Sequence, residues 1–165
     1  PDRCYHCKNT LFRQILRAAE NDGFPVLLDG TNASDDAGDR PGMRALRELS
    51  VRSPLRECGL TKAEIRRLSR EAGLFTWDKP AYACLSTRIR TGEEITLQKL
   101  KQTEKAEGFL FGLGFRDFRV RMVGNTAKLE LREADLPLLL ENREKIVTEL
   151  RKDYDSVLLN LEVRK

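Results

Sequence analysis

The sequence predicts an incomplete α/β part followed by a small α+β part, and three features of its patterning carry that expectation. A continuous apolar run at 25–29, behind a helix-period segment, has the length and composition of a buried parallel strand. Capped or periodic segments at 8–20, 61–72 and 96–113 read as helices. After residue 113 apolar residues alternate around Gly124-Asn125-Thr126, which is the signature of a β-hairpin. The boundary between the two parts is expected near 90–95.

Taken in order, Leu11, Phe12, Ile15, Leu16 and Ala19 fall on one helical face, and Asn21-Asp22-Gly23 ends that helix. The strand at 25–29 follows, with Gly30-Thr31-Asn32 at its carboxyl end, where open α/β sheets place ligands. Residues 33–42 lack periodicity and form a loop leading to a helix at 43–48. Ser53-Pro54-Leu55 is expected to be extended, because proline restricts the residue before it. Thr61 and Glu64 form a capping box for the helix reaching residue 72. The proline-broken stretch 77–90 is a loop and carries Cys84. Thr96 caps the next helix, which ends at Gly112 and Gly114. Strands at 118–123 and 127–132, a helix at 136–152 and a strand at 156–163 complete the chain.

Composition narrows the function classes. No apolar run is long enough to cross a bilayer and no signal-peptide layout opens the chain, so a soluble cytoplasmic protein is expected. The spacing of Cys4, Cys7, Cys58 and Cys84 does not resemble a secreted disulfide framework, and these are read as reduced thiols or ligands. A formal charge of +4, with 26 acidic residues interspersed among 30 basic ones, fits a mixed surface better than a nucleic-acid footprint. The opening Pro1-Asp2-Arg3, without methionine, reads as a fragment lacking its N-terminal part.

Four constellations carry chemistry. In Asp29-Gly30-Thr31-Asn32 the polar side chains suit a ribose or adenine, although a plain strand-to-loop turn with an Asx motif explains them too. Asp35, Asp36 and Asp39 beside Arg40 could hold magnesium and pyrophosphate or simply solvate a loop. Cys4, Cys7 and Cys84 supply three thiolates, enough for a cubane iron–sulfur cluster with one open iron, or for zinc with His6 or a solvent molecule as fourth ligand. Cys84 also stands beside Ser86, Thr87 and Arg88, donors suited to an anionic ligand, and Arg88 would favour a nucleophilic thiolate; a small buried hydrophobe is the bland alternative. Finally, Arg119 and Arg121 share one face of a strand, as a phosphate clamp requires. Cys58 has no partner motif and is taken as structural.

Together, Arg3-Cys4-Tyr5-His6-Cys7-Lys8, Asp29-Gly30-Thr31-Asn32 with Asp35-Asp36 and Asp39-Arg40-Pro41-Gly42, Ser53-Pro54-Leu55, Lys79-Pro80 through Cys84-Leu85-Ser86 to Arg88, and Phe118-Arg119-Val120-Arg121 resemble the LarE sulfur transferases of the ATP-pyrophosphatase (PP-loop) superfamily. The resemblance implies a partial PP-loop, Rossmann-type domain of the adenine nucleotide alpha hydrolase kind over 1–92, and a small α+β substrate-binding or oligomerisation domain over 93–165. It implies that ATP with magnesium adenylates a carboxylate of a pyridinium dicarboxylate mononucleotide and that a cysteine thiolate attacks the mixed anhydride. The thiocarboxylate product serves the nickel-pincer cofactor of lactate racemase and related enzymes.

Residue by residue, the same resemblance gives the sulfur role to Cys84 and nucleotide contacts to Asp29, Thr31, Asn32, Arg40, Ser86 and Arg88. Arg119 and Arg121 fall to the substrate phosphate. Members with cysteines at the CxxC position imply a 4Fe-4S cluster on Cys4, Cys7 and Cys84 that carries an extra sulfide. The implied partner is a nucleotide-like small molecule, with no membrane and no nucleic acid, in a homo-oligomer. The superfamily's Ser-Gly-Gly-x-Asp-Ser phosphate loop is absent and belongs upstream of residue 1, so the chain alone is expected to bind ATP poorly. Two rivals remain at this level: a tRNA-thiolation or amidotransferase-type PP-loop enzyme, and a noncatalytic zinc-binding module.

Overall fold

A computed structural model describes residues 2–35 and 41–164. The chain divides into two compact units, Pro1–Lys79 and Pro80–Lys165. This boundary lies upstream of the one expected at 92, so the Cys84 segment belongs to the second unit.

In the first unit, α1 (Arg3–Asn21) starts five residues earlier than its apolar period indicates, and the CxxC motif is therefore helical. It packs against α2 (Pro41–Glu48), where Ala45 and Leu46 are the fully enclosed apolar side chains described for this unit. Lys8 covers Gly42 so closely that a Cβ there would come within 3.2 Å of the lysine stem. Tyr5 closes the same contact: its hydroxyl donates to Glu48 at 2.6 Å, and the Arg44 guanidinium stacks 4.0 Å from its ring centre.

Two expectations change here. Ser53 does leave the helical region before proline, but Pro54 opens a short helix, α3 (Pro54–Glu57), using the first-turn position at which a missing N–H costs nothing. The parallel strand at 25–29 shrinks to a single bridge between Leu28 and Arg52, closed by two backbone hydrogen bonds of 2.9 Å. Phe24, Val26 and Leu28 are all more than half exposed. A fully apolar strand requires sheet neighbours on both edges, and among the described residues this unit supplies one bridging residue. The last helix of the unit, α4 (Lys62–Glu71), has the capping box read from Thr61 and Glu64, with both reciprocal bonds present.

The second unit is a layered α+β fold. A 3₁₀ turn at Leu85–Arg88 leads through Ile89 to α5 (Leu97–Gly112), capped by Thr96. The hairpin β1 (Arg119–Val123) and β2 (Thr126–Glu130) pairs in register Val120 to Leu129 and Met122 to Ala127. The single helix expected at 136–152 is broken at Asn142 into α6 (Leu136–Glu141) and α7 (Arg143–Leu150). These helices form the crossover that lets β3 (Ser156–Leu159) return parallel to β2. The sheet order is β1-β2-β3. Phe115, Phe118, Val120, Met122 and Leu129 pack with Leu110, Ile146 and Leu150 into one core. Ile89, with no exposed surface, joins that core and bridges to Met122, which ties the chain just after the 3₁₀ turn to the sheet.

No described helix is long and apolar enough to cross a membrane.

Candidate functional site

The second unit presents Cys84 at the head of the 3₁₀ turn, where its backbone is still extended and its side chain is exposed. Its thiol lies 3.1 Å from the Ser86 hydroxyl. A hydroxyl in that position can donate to a thiolate, and exposure gives the sulfur access to a ligand. The Thr87 amide and hydroxyl both donate to the Cys84 carbonyl, at 3.0 and 2.7 Å. The polypeptide beneath the sulfur is thus hydrogen-bonded even though the sulfur faces outward.

Three arginines fix this segment. Arg119 donates to the Ala81 carbonyl at 2.7 Å, Arg88 reaches the Cys84 carbonyl at 3.4 Å and the Thr87 hydroxyl at 2.8 Å, and Arg121 donates to the Thr87 carbonyl at 2.7 Å. Carbonyls three residues apart, at 81, 84 and 87, therefore each meet a guanidinium. The period-two reading put Arg119 and Arg121 on one face of β1, and both do face the Cys84 segment. Arg119 is nearly buried, and burial, followed by the positive charges of Arg88 and Arg164, lowers its pKa. Arg121 is more open and also pairs with Glu130 at 2.8 Å. A guanidinium has five N–H donors; the backbone contacts described use two on Arg119 and one on Arg121.

Arg88 is turned into the interior of the second unit. It is 1% exposed and grips Glu107 of α5 with two nitrogens, Nε to Oε1 at 2.6 Å and Nη2 to Oε2 at 3.1 Å. Such a buried bidentate pair spends the charge of the guanidinium on its partner. Glu107 Oε1 also accepts the Val120 amide at 3.0 Å. Tyr82 completes the arrangement, with its ring beneath the Arg88 guanidinium and against Phe111. Burial first, then the Glu107 carboxylate, pushes the Tyr82 hydroxyl up to about 12. The sequence reading passed over Glu107 and Tyr82. The signal available for Glu107 was its place at helical spacing among Leu100, Thr103 and Leu110, a carboxylate on the apolar stripe of α5.

In the first unit, Asp29 is occupied by its own neighbours. Its carboxylate accepts from the Thr31 amide at 3.2 Å, the Thr31 hydroxyl at 2.6 Å and the Ser53 hydroxyl at 2.6 Å. Partial burial pushes the Asp29 carboxyl upward, but the bonds from Ser53 and Thr31, with Lys8 nearby, outweigh it and hold the pKa below 3.8. Asn32 accepts the Ser34 amide at 2.9 Å, and its own amide donates to Asp35 at 2.9 Å. The turn is therefore self-bonded as an Asx motif, and it is pinned to the start of α4 because the Lys62 amide donates to Ser34. Arg40, with Asp36 and Asp39, lies outside the described residues. Cys4 and Cys7 sit one turn apart on α1, both exposed, and Cys58 is exposed as well. Among the described residues, no group of three His, Cys, Asp or Glu side chains within either unit is placed to hold a metal ion.

No family model matches the chain. It is 43% identical over 130 residues to an uncharacterized protein of Synechocystis, covering 79% of this chain and 48% of that one. An uncharacterized protein of Methanocaldococcus jannaschii is 34% identical over 165 residues, covering 99% of this chain and 64% of that protein. A third relative, from Lactiplantibacillus plantarum, is 33% identical over 151 residues, 92% of this chain and 55% of its own length. That relative is a pyridinium-3,5-bisthiocarboxylic acid mononucleotide synthase. Each match is longer than either unit, so the similarity to the synthase extends over both. The chain spans about half to two-thirds of the length of these relatives.

Proposed function

We propose that this chain is part of a LarE-type, ATP-dependent sulfur transferase in nickel-pincer cofactor biosynthesis, with Cys84 as the reacting sulfur. The observation that carries the reading is the Cys84 segment itself. An exposed thiol beside a donor hydroxyl is mounted on a backbone whose carbonyls are held by three guanidinium groups. The name of the L. plantarum relative supports the same chemistry.

The substrate class is a nucleotide-like pyridinium carboxylate in the cytoplasm. ATP, with its magnesium, adenylates the carboxylate and releases pyrophosphate; Asp29, Thr31, Asn32, Arg40 and Ser86 are assigned to the nucleotide. The Cys84 thiolate then attacks the acyl carbon and AMP leaves with the bonding pair. Loss of the Cys84 Cα proton to a base breaks the Cβ–S bond, leaving dehydroalanine in the chain and the sulfur as thiocarboxylate. Arg121 and the remaining donors of Arg119 bind the substrate phosphate and so hold the activated acyl carbon, the group under attack, towards Cys84.

A second reading is favoured by Cys4 and Cys7, exposed one turn apart on α1. By donor chemistry alone, their thiolates and that of Cys84 suit a 4Fe-4S cluster. When bound, such a cluster would supply sulfide and spare Cys84.

Full-length protein incubated anaerobically with ATP, magnesium and the pyridinium dicarboxylate mononucleotide separates these readings. Thiocarboxylate formation with loss of the elements of H₂S from the Cys84 peptide supports the first. Thiocarboxylate with intact Cys84 and bound iron supports the second, and bound zinc without turnover identifies a metal-binding module. Sulfur transfer that persists in Cys84→Ala overturns the assignment.

A further inference from the structure

The Glu107 carboxylate gathers three donors: Arg88 Nε, Arg88 Nη2 and the Val120 amide. Arg88 stands four positions after Cys84, and Tyr82, two positions before it, lays its ring against the Arg88 guanidinium. Val120 lies in β1 between the two arginines that hold the Ala81 and Thr87 carbonyls. Glu107 itself stands on α5 with 1% exposure, so solvent cannot replace these bonds.

The geometry points to Glu107 as the positioning residue of the Cys84 sulfur: through Arg88, one buried carboxylate ties the segment that carries Cys84 to β1 and thereby fixes where the exposed thiol stands. The inference rests on the reading of Cys84 as the reacting sulfur only for its purpose; the geometric claim is tested without any substrate. A buried Arg–Glu pair is a poor source of net stability, because desolvation of both charges offsets their attraction, whereas its bidentate geometry sets direction closely. In this chain the direction is conveyed by Arg88, whose third nitrogen reaches the Cys84 carbonyl and the Thr87 hydroxyl.

The test compares the chain with Glu107→Gln, Arg88→Lys and the double variant Arg88→Met/Glu107→Gln. Glutamine retains an acceptor for the Val120 amide, and the double variant leaves no unpaired buried charge, so it keeps the fold if either single variant loses it. Two quantities are read at one fixed pH: amide hydrogen exchange along 81–89, and the iodoacetamide alkylation rate of Cys84 relative to Cys58 in the same molecule. In the folded double variant, exchange at the Thr87 and Ile89 amides should rise about tenfold or more, while β2 stays protected. The Cys84-to-Cys58 alkylation ratio should change by about threefold or more, and Arg88→Lys, with a single nitrogen, should not restore it.

A folded double variant with unchanged exchange at 81–89 and an unchanged alkylation ratio overturns the positioning role. If the segment loosens as expected but Cys84→Ala still transfers sulfur, the positioning stands and the sulfur-transfer reading falls.

Discussion

The two units bury their apolar residues to very different degrees. In the second unit, Leu110, Phe115, Val120 and Ile89 have no exposed surface, and a sheet closes over them. In the first, Ala45 and Leu46 are enclosed, while Phe24, Val26, Leu28 and Phe75 stand mostly in solvent. Order in the first unit comes instead from polar closure: the Asp29 turn, the Thr61 capping box and the Tyr5–Glu48 bond. Similar local chemistry thus acts in two settings. Polar contacts supplement a core in one unit and stand largely in place of one in the other.

The largest expected break in this contrast is Arg88→Ala. It leaves Glu107 as an unpaired charge in the interior and should cost the second unit about 3–5 kcal/mol. Denaturant unfolding followed by hydrogen exchange should show that loss in β1 and α5, with fluorescence of Trp77 in the first unit unchanged. A pair of leucine truncations sharpens the point. Leu110→Ala should cost about 2–5 kcal/mol, and Leu28→Ala, at a 58% exposed site, should stay within about 0.5 kcal/mol. Equal losses at the two sites would mean that the apolar run at 25–29 is packed. Thr61→Ala removes the cap of α4 and should cost the first unit about 1 kcal/mol, read as a lower unfolding midpoint by Trp77 fluorescence.

The smallest effects are those of pH, and they have opposite signs in the two units. Asp29 is held below its ordinary value of 3.8 in the folded chain, so its contribution is present above that value and is lost as pH falls through the lower folded pKa. Asp29→Asn should flatten the acid limb of the first unit. Tyr82 is raised from 10.0 to about 12, so its contribution is complete below 10 and lost as pH rises towards 12. Tyr82→Phe should flatten the alkaline limb of the second unit, measured by thermal midpoint against pH, and should remove one late phenolate from the ultraviolet titration.

Much of the second unit was legible because its signals are local. Alternation around Gly124-Asn125-Thr126 specified the hairpin, while its register, with Val123 opposite Thr126, is held by the burial of Val120 and Met122, which a slip by one residue would turn outward. The break of the crossover helix at Asn142 was not legible, because 136–152 keeps a helical period and only packing shows where the axis turns. The apolar run at 25–29 misled for the same reason. Hydrophobicity records what a strand can bury, whereas a sheet needs a neighbour that the local sequence does not name.

The sequence by itself determined the caps, the hairpin, the residues available for chemistry and the prominence of Cys84, because each depends on neighbours within a few positions. Only the tertiary structure decided what the arginines do. Arg88, Arg119 and Arg121 read alike as phosphate ligands along the chain, yet they meet the carbonyls at 84, 81 and 87, and Arg88 is further neutralised by a carboxylate in the interior. Its partner, Glu107, is 19 positions away on another helix. A guanidinium binds whichever acceptor the fold brings to it, and that acceptor is fixed by packing, which no local window of sequence contains.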